Sequence, residues 1–145
     1  MTSHAEQLDV PAAAPSHDYL LSKNQLVLVA IIGVVLWFAF ALYLNFAGQA
    51  GWFGPVASAI HFAVCIPLAW VTVRVFRVAL GLRPGQVLPA LALGTAAATL
   101  CDASALTWYP ALYGTDPAVI VLEAAAILWF VGVSFPIAYW EGYRG

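Results

Sequence analysis

Charge is what this sequence has least of. Five Lys or Arg and seven Asp or Glu serve 145 residues, 8% of the chain, where an ordinary globular domain carries roughly 25%. A soluble fold of this length could not solvate its surface with so few ions. Cysteine is nearly missing too, and the two present exclude a disulfide scaffold. Basic residues are not in excess, and a net charge of -2 excludes a nucleic-acid binder. What is plentiful is apolar: 63% of residues are hydrophobic and the mean hydropathy is +0.90. A disordered chain does not have that composition. The composition predicts an all-α integral membrane protein.

The polar residues that do occur divide the chain. Residues 1–24 contain Glu6, Asp9, Asp18 and Lys23 together with Pro11 and Pro15, and read as a disordered cytoplasmic tail. Residues 25–145 form one transmembrane domain. An uncharged run from Leu26 to Leu44 spans roughly 28 Å at about 1.5 Å per residue, enough to cross the hydrocarbon. It is too long for the core of a secretory signal, and the segment before it is acidic. The expected helices cover about 26–46, 56–80, 87–108 and 118–140. Gly48, Gly51 and Gly54 punctuate the first connection, Gly81 to Gly85 the second, and Pro110, Gly114 and Pro117 the third. Short connections between four spans predict an antiparallel four-helix bundle, with a kink expected at Pro67.

Lys23, the group Arg74, Arg77 and Arg83, and Arg144 all fall on one side of such an arrangement. Basic flanks mark the cytoplasm, so both termini are predicted cytoplasmic, with Arg74, Arg77 and Arg83 as anchors that snorkel to headgroups. The outer connections are then Asn45 to Pro55 and Tyr109 to Pro117. Tyr43, Trp52, Trp108, Tyr109 and Tyr113 at the outer boundary, and Tyr139, Trp140 and Tyr143 at the inner one, read as interfacial anchors.

Three ionisable side chains stand inside the spans: His61, Asp102 and Glu123. Counted from the outer boundary, each lies roughly 7 to 10 Å deep. A shared depth on helices of alternating direction predicts that they can meet in one cluster. Ser58, His61, Cys65 and Thr72 share a face of the second helix, and Thr95, Thr99 and Asp102 share one of the third. Beside the latter runs an edge of small residues, Gly94, Ala98, Cys101 and Ala105, of the kind that lets membrane helices approach closely. Asp102 costs the most: a central Asp adds about +3 kcal/mol to insertion, against roughly -2.5 from the aliphatic residues of that helix. Glu123 sits among enough large aliphatics to be carried easily. Polar residues in bundles also serve as simple interhelical hydrogen bonds, worth about 0.6 kcal/mol each. Cys65 and Cys101 lie at similar depth, where buried cysteine is ordinarily a small hydrophobe.

No phosphate-loop, dinucleotide, zinc-protease or hydrolase motif is present, and no enzyme, metal or other cofactor is implied. Bis-histidine haem would need a second histidine in the spans, and His4 and His17 are in the tail. Leu100-Cys101-Asp102-Ala103, then Tyr109-Pro110, then a last helix bearing Trp129 resemble a family of small four-helix bacterial membrane proteins known as a domain of unknown function. Leu36-Trp37 and Asn45 to Gln49 fit the same likeness, which covers about 110 residues. The resemblance implies a bacterial cytoplasmic membrane and draws attention to Asp102, but implies no activity. Small multidrug exporters have a similar size, yet their essential Glu is in the first helix, and the uncharged run here has none.

Two functions remain as expectations. The first is a non-enzymatic accessory protein that packs against itself or a membrane-protein partner through the small-residue edge. The second is a proton-coupled carrier or relay, with Asp102 as proton acceptor, Glu123 and His61 coupled to it, and Thr95, Thr99 and Asn45 as hydrogen-bond partners.

Overall fold

The computed structural model describes residues 19–144. The predicted disordered tail lies outside them except for residues 19–24, of which Ser22 caps the first helix and Lys23 and Asn24 belong to it. Four helices form the chain: α1 (Lys23–Gln49), α2 (Pro55–Ala79), α3 (Val87–Trp108) and α4 (Pro117–Tyr143). All four are long and apolar enough to cross a membrane. Short 3-10 turns, Pro84–Gln86 and Pro110–Leu112, precede and follow α3.

Local chemistry explains where the helices begin and end. Ser22 Oγ accepts from the backbone N–H of Gln25, whose side-chain oxygen accepts in turn from the Ser22 N–H, so α1 starts three residues before the expected Leu26. Reciprocal capping of this kind satisfies two otherwise orphaned N–H groups. At its far end α1 also outruns the expectation. Asn45 to Gln49, read from the glycines as connection, are helical, and Gly48 packs within the helix. Asp116 caps α4 by accepting from the Ala118 backbone at 2.9 Å. Pro67 and Pro136 lie inside α2 and α4, which continue through them.

Packing pairs alternate helices. The main contacts join α1 to α3 and α2 to α4. Along the first pair, Leu20 accepts from the Gln86 side chain at 2.6 Å, Gly33 meets Gly94, Trp37 meets Asp102, and Asn45 donates to Leu112 at 2.9 Å. At Gly33 the two backbones nearly touch, since a Cβ there would stand 2.5 Å from the Gly94 carbonyl oxygen. Along the second pair, Trp129 donates to the Phe62 carbonyl at 3.0 Å and Arg77 reaches Glu141 at 3.3 Å.

Two apolar clusters result. One joins Val29, Val73, Phe76, Val87, Leu91 and Ala138, and the other Ala41, Leu44, Ala105, Tyr113, Ala126 and Ile127. The basic residues gather at the first end. Arg74 and Arg77 both pair with Glu141, at 3.1 and 3.3 Å, instead of extending alone. Outward faces remain apolar, with Val56, Val78, Leu100 and Leu128 each at least 70% exposed.

Candidate functional site

A mid-helix Asp in an apolar bundle needs donors, and α1 and the turn after α3 provide them. Asp102 is 9% exposed. Its Oδ1 accepts from the Trp37 indole at 2.9 Å and from the Tyr113 hydroxyl, while the indole also donates to that hydroxyl at 3.1 Å. Tyr113, expected as an outer anchor, is fully buried. The reason is the turn Pro110–Leu112, which folds its C-terminal neighbour back under α1. Asp102 Oδ2 takes no hydrogen bond and is not among the fully buried unpartnered atoms. Asp102 also lines the cavity between the helices.

That cavity has a volume of about 540 Å³ and is walled by all four helices. Its lining is largely aromatic and aliphatic, including Trp37, Phe40, Tyr43, Phe76 and Phe130. The polar exceptions besides Asp102 are Tyr43, Thr72, Thr95, Thr99 and Ser134. Three of these hydroxyls spend their proton on their own helix. Thr72 donates to the Leu68 carbonyl at 2.9 Å, Thr99 to Thr95 at 2.9 Å and Ser134 to Phe130 at 2.7 Å. Such back-bonding leaves only oxygen lone pairs to face a guest. Thr99 therefore does not donate to Asp102, as the relay expectation required, because its own helix takes the proton first.

Glu123 and His61 stand elsewhere. Among the described residues no hydrogen bond or ion pair joins Asp102, Glu123 and His61 to one another, and each takes different neighbours. Equal depth sets height in the bundle, while the direction of each side chain around its helix decides the partners. His61, 7% exposed, places Nδ1 at 3.4 Å from the Tyr43 hydroxyl and stacks on that ring, 5.7 Å between centroids. Glu123 is wholly buried against Gly48, where a Cβ would come within 2.5 Å of Oε1. Both Glu123 oxygens, His61 Nε2 and Ser58 Oγ are buried without a protein partner. Phe40 stacks on Phe130 at 5.3 Å and Gly48 meets Glu123, which puts Tyr43 and His61 about one turn deeper than Glu123. Of these groups His61 contacts Tyr43, and Tyr43 in turn lines the cavity.

The other expected residues fall as follows. Gly94 is spent inside the chain, against Gly33 and the Phe76 ring, and Ala105 joins the outer apolar cluster. Ala98 lines the cavity. Cys101 lines a shallower groove with Trp108 and Tyr109, and Cys65 is buried. Neither cysteine is bonded to the other. Asn45 does not serve Asp102: it donates to the Ala111 and Leu112 carbonyls and accepts from Gln49. Arg83 opens the turn before α3, where its backbone N–H donates to Gln86 at 3.0 Å. Among the described residues no group of three or more His, Cys, Asp or Glu could hold a metal ion.

Trp37, Tyr113 and Glu141 were missed as partners. Trp37 had a readable signal, an indole N–H in mid-span away from both interfacial belts, where it must find an acceptor. Tyr113 had none, because only the fold of its turn carries it inward. Comparison of the chain with protein-family models, with curated proteins and with solved structures finds no match.

Proposed function

We propose that this chain is a multi-pass protein of the bacterial cytoplasmic membrane, an antiparallel bundle of four spans that acts as a proton-linked carrier of a small solute. The observation that carries the reading is the cavity of about 540 Å³ between the four helices, with Asp102 in its wall and one carboxyl oxygen of that residue held by Trp37 and Tyr113. Cavities of this size suit small ligands, and a few placed polar groups in an apolar wall orient them. An ionisable residue at membrane depth that faces a cavity is the usual mark of a substrate or proton path. Glu123, Ser58, His61 and Tyr43 supply a proton route from the outer end. Membrane insertion is supported by four apolar helices and their exposed apolar faces. The single basic end supports a cytoplasmic placement for the segments before α1 and after α4. Membership in the four-helix family that residues 100–103 and 109–110 resemble belongs to the same proposal.

The accessory-protein reading is weaker, because two members of the edge it relied on are already used within the chain, Gly94 against Gly33 and Phe76 and Ala105 in an apolar cluster. Infrared titration of the purified protein in lipid tests the carrier. Two carboxyl bands should change reversibly with bulk pH, one lost in Asp102→Asn and the other in Glu123→Gln. A carboxyl titration between about pH 4 and 9 that is identical in the parent and in both variants would sink the reading.

A further inference from the structure

We infer that the solute of this cavity is a small lipophilic monovalent cation, selected by Asp102 and by a wall that offers aromatic faces and three hydroxyls turned to it as acceptors. The inference rests on the cavity being a solute site and names the class of solute. Four observations converge on it.

The first is the division of labour within the carboxyl group. Oδ1 is occupied by the Trp37 indole and the Tyr113 hydroxyl, while Oδ2 has no protein donor and keeps accessible surface. Holding one oxygen fixes the direction in which the other is presented. The second is the absence of any counter-ion: no Lys, Arg or His is among the residues that line the cavity. A carboxylate in apolar surroundings is strongly disfavoured unless it is paired, and a proton or a cationic guest is what can pair it.

The third is the polarity of the hydroxyls. Thr72, Thr99 and Ser134 each give their proton to a backbone carbonyl of their own helix, so they meet a guest as acceptors. At these three positions an anion would face lone pairs, whereas a cation is solvated by them. The fourth is the aromatic content. Trp37, Phe40, Tyr43, Phe76 and Phe130 line the cavity, and the negative faces of such rings attract cations within about 6 Å. A neutral apolar molecule would use the same walls but leave Asp102 unpaired.

The guest and a proton then compete for one carboxyl group. When Asp102 is protonated, binding of the cation releases that proton to the medium, and when the proton returns the cation leaves. The titratable groups around this exchange are few. Tyr113 comes from the turn after α3, Cys101 lies on Asp102's own helix and Tyr43 comes from α1, while the cavity-lining residues of α2 and α4 include none. Charge exchange at the site is therefore assigned to Asp102.

The test is a charge-only comparison. Benzyltrimethylammonium and neopentylbenzene have the same shape and differ by the central nitrogen and its positive charge. Each is titrated calorimetrically into the full chain in lipid nanodiscs, with empty nanodiscs subtracted. The cation should bind at least about tenfold more tightly, and Asp102→Asn should abolish that preference, since pairing one charge in a poorly solvated site is worth more than about 1.4 kcal/mol. Should Asp102→Asn fail to fold, Phe130→Leu leaves the carboxyl untouched and should weaken the cation about threefold while sparing the neutral molecule. Equal binding of the two molecules overturns the cation assignment and leaves the cavity a solute site. Binding of neither overturns both the assignment and the carrier reading.

Discussion

At the residue scale the decisive fact about Asp102 is that its two donors come from different parts of the chain. Trp37→Phe keeps the aromatic bulk and removes one donor, leaving Oδ1 with Tyr113 alone. Loss of a hydrogen bond to a buried charged group costs about 1 to 3 kcal/mol, so thermal unfolding in lipid should show a drop of that size. An unchanged midpoint would mean that the indole does not hold the carboxyl. Tyr113 lies outside the four long helices, and its phenol is held above its ordinary value first by burial and then by its hydrogen bond to Asp102. A group with a raised folded value contributes stability that is fully present below the unfolded value, about 10 for a phenol. That contribution is lost as pH rises from there toward the folded value. Alkaline unfolding should accordingly be delayed in Tyr113→Phe relative to the parent once its stability at neutral pH is subtracted. Parallel alkaline curves would remove Tyr113 from the account.

At the element scale the bundle depends on glycines that let helices and side chains come close. Gly48 of α1 is in van der Waals contact with the Glu123 carboxyl of α4. A methyl group at Gly48 would stand 2.5 Å from Oε1, so Gly48→Ala must push the side chain aside at a cost of about 1 to 3 kcal/mol. Glu123→Ala removes the obstacle. In that background Gly48→Ala should be nearly neutral, a coupling that a double-mutant cycle of unfolding free energies reads directly. Strict additivity of the two changes would show that α1 and α4 do not meet there.

For the whole molecule, the basic residues and Glu141 converge at one end of the bundle. Arg74 and Arg77 reach Glu141 from α2, and Gln25 of α1 donates to the Leu80 carbonyl at 3.3 Å. The opposite end holds Asn45, the turn Pro110–Leu112 and Asp116, without a Lys or Arg. In a membrane the basic end should face the cytoplasm. A reporter joined after Arg144 should then read cytoplasmic, and one inserted at Gly114 should read external. Identical readings at the two positions would break the four-span topology.

The existence, number and apolar character of the helices were legible in the residue pattern, because hydrocarbon length and charge scarcity act on the sequence directly. Asp102 as the costly residue was legible for the same reason. The ends of α1 were not, since a capping pair at Ser22 and Gln25 and the contact of Gly48 with Glu123 override the usual meaning of glycine. The site itself was decided by tertiary structure. Depth along a helix follows from counting residues, but the partner of each side chain depends on its direction around the axis and on where the connecting turns fold. That is why Asp102 met Trp37 and Tyr113, why Glu123 and His61 stayed apart from it, and why an apolar cavity lies between the helix pairs. Sequence determined which residues lipid would not tolerate exposed, and packing alone decided what they would face.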